Sequence, residues 1–275
     1  MNVGALLLAA ACLGAPFAAN AAAPVRGQEN DDMSGHPVYE LRQYTLHPGK
    51  RDTLIEVFED HLIEPQEAHG MQVLAHFRDL DNPDRFVWFR GFDSMAARGE
   101  ALPAFYLRDP AWKAHRSAAN ATMIDSDNVL LLREAWPGSG FAAATRPRPP
   151  LGTRPAPGPL VVATTYALVG PVDADFVAFH RHTLAPRAQA AGARLLATFV
   201  SEESANNFPP LPVRPEHVLV WVAAFSDAAA YEAWRARLDA DPVWRRDVLP
   251  VLARRLIWPA DVHRLAPAGR SLPRD

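Results

Sequence analysis

Asp-Pro-Ala-Trp at residues 109–112 returns as Asp-Pro-Val-Trp at residues 241–244, and this repeated stretch decides the fold. Residues before each copy also match in order, since Leu-Ala-His-Phe at 74–77 returns as Leu-Ala-Thr-Phe at 196–199. A period of roughly 130 residues is too long for one unit of a solenoid. The sequence therefore predicts two copies of one small domain.

Each copy has the pattern of a small α+β domain. In the first, residues 38–46 alternate as a strand does, and apolar residues recur at helical spacing over residues 51–69. Two more strands flank a turn at residues 81–84, and Asp109 with Pro110 supplies the N-cap and first position of another helix. The order β-α-β-β-α-β predicts two tandem ferredoxin-like domains.

Composition divides the chain into six segments. Pro and Gly are dense between the two copies, where they favour an extended linker. The segments are a signal peptide at 1–23, a flexible leader at 24–35, a first domain at 36–136, a Pro/Gly-rich linker at 137–159, a divergent second domain at 160–266 and a tail at 267–275.

The first 23 residues predict export to the periplasm or out of the cell. They carry no charged side chain and end in Ala19-Asn20-Ala21, the small-x-small form that signal peptidase cuts. The alternative is an apolar N-terminal helix that the mature protein keeps. Cys12, the one cysteine, lies in this stretch, but the larger aliphatic residue expected three positions before a lipoprotein cysteine is missing. Cleavage near Ala21 leaves a chain without disulfides or thiolate ligands.

Charge and motifs exclude several classes of function. A net charge of −3 gives no basic footprint for nucleic acid, and nothing after the N-terminal stretch is long and apolar enough to span a membrane. The chain has no P-loop, dinucleotide fingerprint, nucleophile elbow or histidine pair at metal-ligand spacing. We predict no nucleic-acid partner, no bound metal and no transmembrane segment in the mature chain.

The first copy carries charged strand residues that the second lacks. Because residues two apart share a face of a strand, one face of the first sheet holds Glu40, Arg42, Tyr44, His76, Trp88 and Arg90. The matching residues of the second copy are Val162, Thr164, Tyr166, Thr198, Trp221 and Ala223. Burial of charge is unfavourable, so we expect this face to point away from the helices. Because the second copy lacks these charges, the comparison favours a polar ligand site in the first copy, with the second copy forming a wall of that site. The alternative is a structural network of Glu40 with Arg42 or Arg90.

A histidine persists in both copies, as His61 and His182. Each follows a phenylalanine by one helical turn, which places it on the core-facing stripe of its helix. We interpret both as core residues; the alternative is that His61 lines a pocket.

The run Tyr39-Glu40-Leu41-Arg42-Gln43-Tyr44, followed by Pro48-Gly49-Lys50, Gly70 and the Asp109 helix start, resembles the NIPSNAP family. The second copy keeps Thr165-Tyr166 of this pattern. The resemblance implies a dimeric-type α+β barrel, here closed within one chain, whose lumen receives Glu40, Arg42, His76, Trp88 and Arg90. Related barrels include cofactor-independent monooxygenases, haem-degrading enzymes and isomerases.

Three hypotheses for function follow. In the first, the lumen binds a small anionic or aromatic molecule: Arg42 and Arg90 grip a carboxylate, Tyr44 and Trp88 form walls, and Glu40 and His61 complete the site. In the second, a monooxygenase or isomerase uses His76 as the general base. The third is a non-catalytic interaction module with a closed, filled barrel. We predict no cofactor; haem is the alternative, through His61 or His76. The two domains are expected to pair within the chain, with further oligomerisation left open.

Overall fold

The structure, a computed structural model, describes residues 36–144 and 146–272. The predicted signal peptide at 1–23 with Cys12, the whole of the predicted leader at 24–35, and residues 273–275 of the predicted tail lie outside the described residues. In the described part, no helix has the length and apolar character needed to cross a membrane.

The first half follows the predicted order of elements. Its strands are β1 (Val38–Leu46), β2 (Gln72–Asp79), β3 (Arg85–Phe92), β4 (Met123–Asp125) and β5 (Val129–Glu134). Its helices are α1 (Arg51–His61), α2 (Ile63–Ala68), α3 (Met95–Pro103) and α4 (Pro110–Asn120), with a π-helical turn at Ala104–Arg108 between the last two. The short strand β4 was not foreseen.

The second half has the same alternation of strands and helices. Its strands are β6 (Leu160–Ala167), β7 (Arg194–Ser201), β8 (Val218–Phe225) and β9 (Asp261–Pro267). Its helices are α5 (Ala174–Phe179), α6 (Ala185–Ala190), α7 (Ala228–Ala240) and α8 (Leu249–Arg255), with π-helical turns at His180–Leu184 and Trp244–Val248.

Local chemistry explains where the helices of the first half begin and end. Ser94 and Asp109 cap α3 and α4 by accepting hydrogen bonds from backbone N–H groups, as their residue types predict. The single helix expected over residues 51–69 is broken at Leu62. Pro65 explains the break, because it lacks the N–H that a continuous helix would donate to the carbonyl of His61. Gly70, at φ 84°, then turns the chain into β2.

Eight strands close into one antiparallel barrel in the order β1-β3-β2-β9-β6-β8-β7-β5, and β5 returns to β1. Two joins connect the halves. Residues 77–79 of β2 pair with 265–267 of β9, and residues 132–134 of β5 pair with 199–201 of β7. The predicted α+β barrel, closed within one chain, is confirmed.

Apolar side chains fill the interior of this barrel. Leu41, Phe77 and Phe89 from the first half meet Phe199 and Val220 from the second in one buried cluster. The rings of Phe89 and Phe199 stack across the interior with their centroids 6.2 Å apart. Tyr44 and Trp88 are not part of this cluster but of the one beneath the helices of the first half, so the predicted place of the site is wrong.

The linker and the start of the tail pack against the barrel. In the linker, Phe141 places its ring 5.1 Å from that of Phe89, and the Ser139 hydroxyl donates to the Thr198 carbonyl. In the tail, Arg270 is buried, and its backbone N–H donates to the Glu59 carboxylate at 2.8 Å. Both segments are thus part of the folded body rather than loose connections.

Candidate ligand cavity in the first half

The predicted site residues share one face, but that face looks toward the helices. Tyr44 and Trp88 pack in the cluster formed with Leu54, Ile55 and Phe58 of α1. The grouping by strand parity was right and its direction was wrong. In a closed barrel both faces of the sheet are buried, and only the outer face meets helices whose polar side chains can pair with a charge. The lumen holds other strand side chains, which here are apolar.

A buried ion cluster lies beneath the helices of the first half. The Glu40 carboxylate accepts hydrogen bonds from Arg42 Nη1 at 2.7 Å, Arg90 Nε at 2.7 Å and Arg98 Nε at 2.8 Å. All four side chains are at most 1% exposed. The three arginines pair with no other carboxylate among the described residues, so the cluster carries two uncompensated positive charges.

The cluster keeps Glu40 ionised. Burial alone would raise the pKa of its carboxyl group, but the charges of Arg90, Arg42 and Arg98 outweigh burial and hold this pKa well below its ordinary range. Aromatic rings hold the arginines from the side, since Arg42 Cζ lies 5.6 Å and Arg90 Cζ 5.3 Å from the Trp88 ring. The predicted network of Glu40 with Arg42 and Arg90 therefore exists.

Next to this cluster lies a cavity of about 220 Å³, the first cavity, between the sheet and the helices. Three of the predicted residues line it, namely Arg42, Tyr44 and Trp88, together with Phe58, Tyr106 and Trp112. Its mouth is formed by the exposed residues Asn120, Asp127 and Pro210. The ion cluster and the cavity are thus adjacent, and Arg42 belongs to both.

Three polar groups that line the first cavity, of which those of Tyr44 and Trp88 are buried and that of Tyr106 is half-buried, have a hydrogen-bond donor without an acceptor. Tyr44 accepts from Arg42 Nε at 2.8 Å and Tyr106 accepts from Arg90 Nη1 at 3.1 Å, and neither hydroxyl proton has an acceptor in the described part of the chain. Burial raises the pKa of Tyr44, so its proton is retained. Trp88 Nε1 is buried without a partner. Such a lining can receive an acceptor, and the charge behind it favours an anion.

Two elements bring residues to this cavity that the strand pattern does not contain. The π-helical turn after Pro103 presents Tyr106, and the Asp109 cap starts α4 so that Trp112 packs edge-on against Tyr106 at 4.9 Å. The loop after β7 reaches over from the second half, where Asn206 and Asn207 accept from Arg98 Nη1 at 3.0 and 2.6 Å. The second half does form a wall of the site, through this loop rather than through its sheet.

The remaining predicted residues do not line the first cavity. Glu40 and Arg90 lie behind it. His76 is fully buried, with Nε2 2.7 Å from the Glu59 carboxylate, and burial lowers its pKa despite that bond. His61 is exposed and stacks on His115 at 3.8 Å, so both readings of this residue were wrong. His182 is exposed as well, whereas His180 is the buried histidine of the second half.

Comparison with known proteins adds a family for the first half. The NIPSNAP family model matches residues 39–136. The first half contains a NIPSNAP domain. No curated protein matches the chain. Membership of residues 160–266 in the family stays a prediction.

Solved structures extend the likeness to both halves. A provisionally named monooxygenase of Fusobacterium nucleatum is 8% identical, with a TM-score of 0.53 over 87% of this chain and 97% of its own. A protein described as anthrone oxidase-like is 13% identical, with a TM-score of 0.53 over 86% and 95%. Another provisionally named monooxygenase, of Lactobacillus acidophilus, is 11% identical, with a TM-score of 0.50 over 86% and 98%. At these identities the likeness concerns the fold of the NIPSNAP domain and its companion half.

The first cavity does not fit the haem alternative. Neither His61 nor His76 lines the cavity, so neither imidazole is placed to ligate an iron there, and the volume suits a ring-sized molecule rather than a macrocycle. In the described residues, no group of three or more His, Cys, Asp or Glu side chains is arranged to hold a metal ion.

Sequence reasoning missed Arg98, Tyr106 and Gln66 of the NIPSNAP domain. Arg98 is fully buried on α3, and Gln66 accepts from Arg90 Nη1. A charged residue among the alanines at 96–101 is the one available signal for Arg98, and it does not differ from that of an exposed arginine. Pro103 could have pointed to Tyr106, because a proline disrupts a helix and π-helical turns are frequent at functional sites.

Proposed function

We propose that the NIPSNAP domain binds a small anionic aromatic molecule in the first cavity. One observation carries the proposal: the donors of Tyr44, Tyr106 and Trp88, the first and last of them buried, lack acceptors in the described structure, and they lie against a cluster with two surplus positive charges. A carboxylate supplies both the missing acceptors and the missing negative charge. The rings of Phe58 and Trp112 supply walls for an aromatic body.

The size of the first cavity suits a single aromatic ring with a short acidic substituent. An engineered apolar cavity of about 150 Å³ holds benzene, and this one measures about 220 Å³. In the proposed pose, the carboxylate faces Arg42 and the Tyr44 hydroxyl, and the ring extends toward the mouth at Asn120 and Asp127. The charge of the ligand offsets part of the surplus in the ion cluster, so its binding stabilises the folded protein.

The other two hypotheses gain less support. His76 is sealed by Glu59 and the tail, so a general base at this position would need a path to substrate that the first cavity does not supply. The filled barrel agrees with an interaction module, but it does not oppose a ligand site outside the barrel. Binding is therefore the function that the geometry supports best, and no reaction is proposed.

Thermal unfolding with benzoate and salicylate tests the proposal. Either anion should raise the Tm of the wild type, with a gain of about 2.7 kcal/mol in unfolding free energy at a hundred times Kd. Arg42→Met should remove the gain, since it takes the nearest positive charge from the cavity wall. Arg78→Met is the matched control, because Arg78 pairs with the exposed Asp52 and does not line the cavity.

The proposal fails if neither anion stabilises the wild type, or if both variants respond alike. Should Arg42→Met not fold, Ala119→Leu tests the same point, because Ala119 lines the cavity and a larger side chain fills it. Benzamide has the same ring as benzoate but no charge at neutral pH. The difference between the Tm shifts caused by the two compounds therefore measures how much the charge contributes to binding.

Export is proposed on the composition of residues 1–23, which carry no charged side chain. Expression of the whole chain with a C-terminal tag, followed by mass measurement of the fractionated product, tests it. Loss of about 20 residues and recovery outside the cytoplasm is the expected result. A full-length product in the cytoplasm would contradict it.

A further inference from the structure

The second half contains its own cavity between sheet and helices. This second cavity measures about 180 Å³ and is lined by five aromatic side chains. They are Tyr166, Trp221, Tyr231, Trp234 and Trp244. Nothing in the proposed function of the first cavity uses it.

The two cavities lie on corresponding strand positions. Arg42 pairs across the ladder with Trp88 in the first half, and Thr164 pairs with Trp221 in the second. The next pair on the same face is Glu40 with Arg90 in the first half and Val162 with Ala223 in the second. The second cavity thus keeps the tryptophan and replaces the whole ion cluster by uncharged side chains.

The chemistry of this lining selects against a charged ligand. Its only residues with a full charge are Arg235 and Asp239, which are exposed, opposite in sign and located on the same helix, α7. An anion that entered the interior would lose its hydration and find no counter-charge, and a cation, although aromatic faces attract it, would lose its hydration too. A cation would also meet Arg235, whose Cζ lies 5.9 Å from the Tyr231 ring.

The polar groups of the interior are few. Trp234 Nε1 already donates to the Ala188 carbonyl at 3.0 Å. The hydroxyl groups of Thr164 and Tyr166 and the buried Trp221 Nε1 remain beside the aromatic walls, and the Thr164 and Tyr166 side chains are at most 5% exposed. They suit a ligand with one hydroxyl group on an aromatic ring, since such a group both donates and accepts.

We infer that the second cavity binds an uncharged, single-ring phenolic molecule, independently of the first. The protein then holds two aromatic ligands of different charge in corresponding places of its two halves. The first cavity takes the anion and the second takes the neutral ring. The inference stands on the second cavity alone and holds whether or not the first binds an anion.

The seven tryptophans make the two cavities separately visible. In a ¹H–¹⁵N spectrum of the full chain, the indole N–H signals of Trp221, Trp234 and Trp244 report on the second cavity, and those of Trp88 and Trp112 on the first. Single Trp→Phe variants assign them. Trp258, 45% exposed and outside both linings, is the internal control.

Phenol should shift the three signals of the second cavity in a saturable way. Benzoate should require at least about tenfold higher concentration to shift the same signals. Thr164→Val should weaken phenol binding severalfold without changing the fold, because it replaces a hydroxyl by a methyl group of similar size. Ala260→Leu, which fills the second cavity, should abolish the shifts, and Ala119→Leu in the first cavity should leave them intact.

The inference is overturned if phenol leaves the Trp221, Trp234 and Trp244 signals unchanged in the wild type, or if benzoate shifts them as readily. The wild-type titration needs no variant, so a variant that does not fold cannot hide this outcome. If benzoate shifts only the Trp88 and Trp112 signals and phenol shifts none, anion binding in the first cavity is supported and phenol binding in the second is contradicted. The experiment thus tests the two proposals separately.

Discussion

The two halves of the barrel share strand order, a cross-strand tryptophan and a cavity beneath their helices, yet only the first of these cavities lies beside a buried ion cluster. Around Glu40, partners come from several elements: Arg42 and Arg90 from the sheet, Arg98 from α3, and the two asparagines that hold Arg98 from the other half. Around Val162 the neighbours are apolar and aromatic. A buried ion cluster therefore depends on how many elements can reach the position, and loop length decides this.

The loops after β2 and β7 make the difference between the halves. In the first half, residues 80–84 form a tight turn between β2 and β3, whereas residues 202–217 join β7 to β8. The longer loop packs Phe208 into the core of the first half and supplies Pro210 and Leu211 to the first cavity. The tight turn gives nothing comparable to the second cavity, whose lining comes from the second half alone.

Removal of the central carboxylate should have the largest effect on this contrast. Glu40→Gln leaves three buried guanidinium groups without a counter-charge, and we expect a loss of about 3–5 kcal/mol in unfolding free energy. Urea unfolding measures it. Glu56→Gln, on the exposed face of α1, is the control and should change stability by less than about 0.5 kcal/mol. A loss below about 1 kcal/mol at Glu40 would show that the cluster is not held by its carboxylate.

The β2–β9 join between the halves contains a buried histidine with two carboxylate partners, and this predicts that stability depends on pH. At the β2–β9 join, His263 Nδ1 lies 2.9 Å from Asp79 and Nε2 lies 3.2 Å from Asp261, with Arg85 Nη1 3.0 Å from the same Nδ1. Burial lowers the pKa of His263, but the bonds to Asp261 and Asp79 outweigh burial and the charge of Arg85 and raise it to about 9. No such histidine lies in the β5–β7 pairing.

A raised pKa means that protonation of His263 stabilises the folded state. The contribution is complete below the ordinary histidine pKa near 6.5 and is lost as pH rises through about 9. Compared with His263→Gln, the wild type should lose an advantage on the order of 2–3 kcal/mol between pH 6.5 and 9. Urea unfolding of both proteins across this range measures the difference. A difference that stays constant with pH would mean that His263 does not titrate there.

The contribution of the long loop should be smaller. Asn207 accepts from Arg98 and donates from Nδ2 to the Met95 carbonyl at 2.6 Å. Asn207→Ala removes both of these hydrogen bonds, which join the loop of the second half to the first half. The variant should therefore lower the unfolding free energy by about 1–2 kcal/mol. Ala205→Ser in the same loop is the control, since Ala205 is exposed and has no polar side-chain atom to lose. Equal effects of the two variants would contradict a specific role of Asn207.

The sequence predicts the fold well because the fold depends on local pattern. The bounds of β1, the cap at Asp109, and the grouping of Glu40, Arg42, Tyr44 and Trp88 on one face all follow from spacing or residue type. The direction of that face does not, because it depends on barrel closure, which buries both faces.

The candidate site was predicted in part for the same reason. Arg42, Tyr44 and Trp88 line the first cavity, but Arg98 reaches Glu40 from a helix, and Asn206 binds Arg98 across 108 residues of chain. Contacts over such separations leave no periodicity to detect. Aligning the halves also misled where an exposed residue happened to recur, as at His61 and His182.

His61 should therefore give the smallest effect. The residue recurs in both copies, which suggested a shared role in the core, yet its ring is exposed and makes one stacking contact with His115. His61→Ala should change unfolding free energy by less than about 0.5 kcal/mol and leave the response to benzoate unchanged. Phe58→Ala, one turn earlier and 4% exposed, is the contrasting variant and should lose about 3–5 kcal/mol. A loss at His61 near that of Phe58 would restore the core interpretation. The expected result instead explains the recurring Phe-x-x-His spacing by the phenylalanine, because the burial of a side chain, and not its recurrence in both halves, determines how much it contributes to stability.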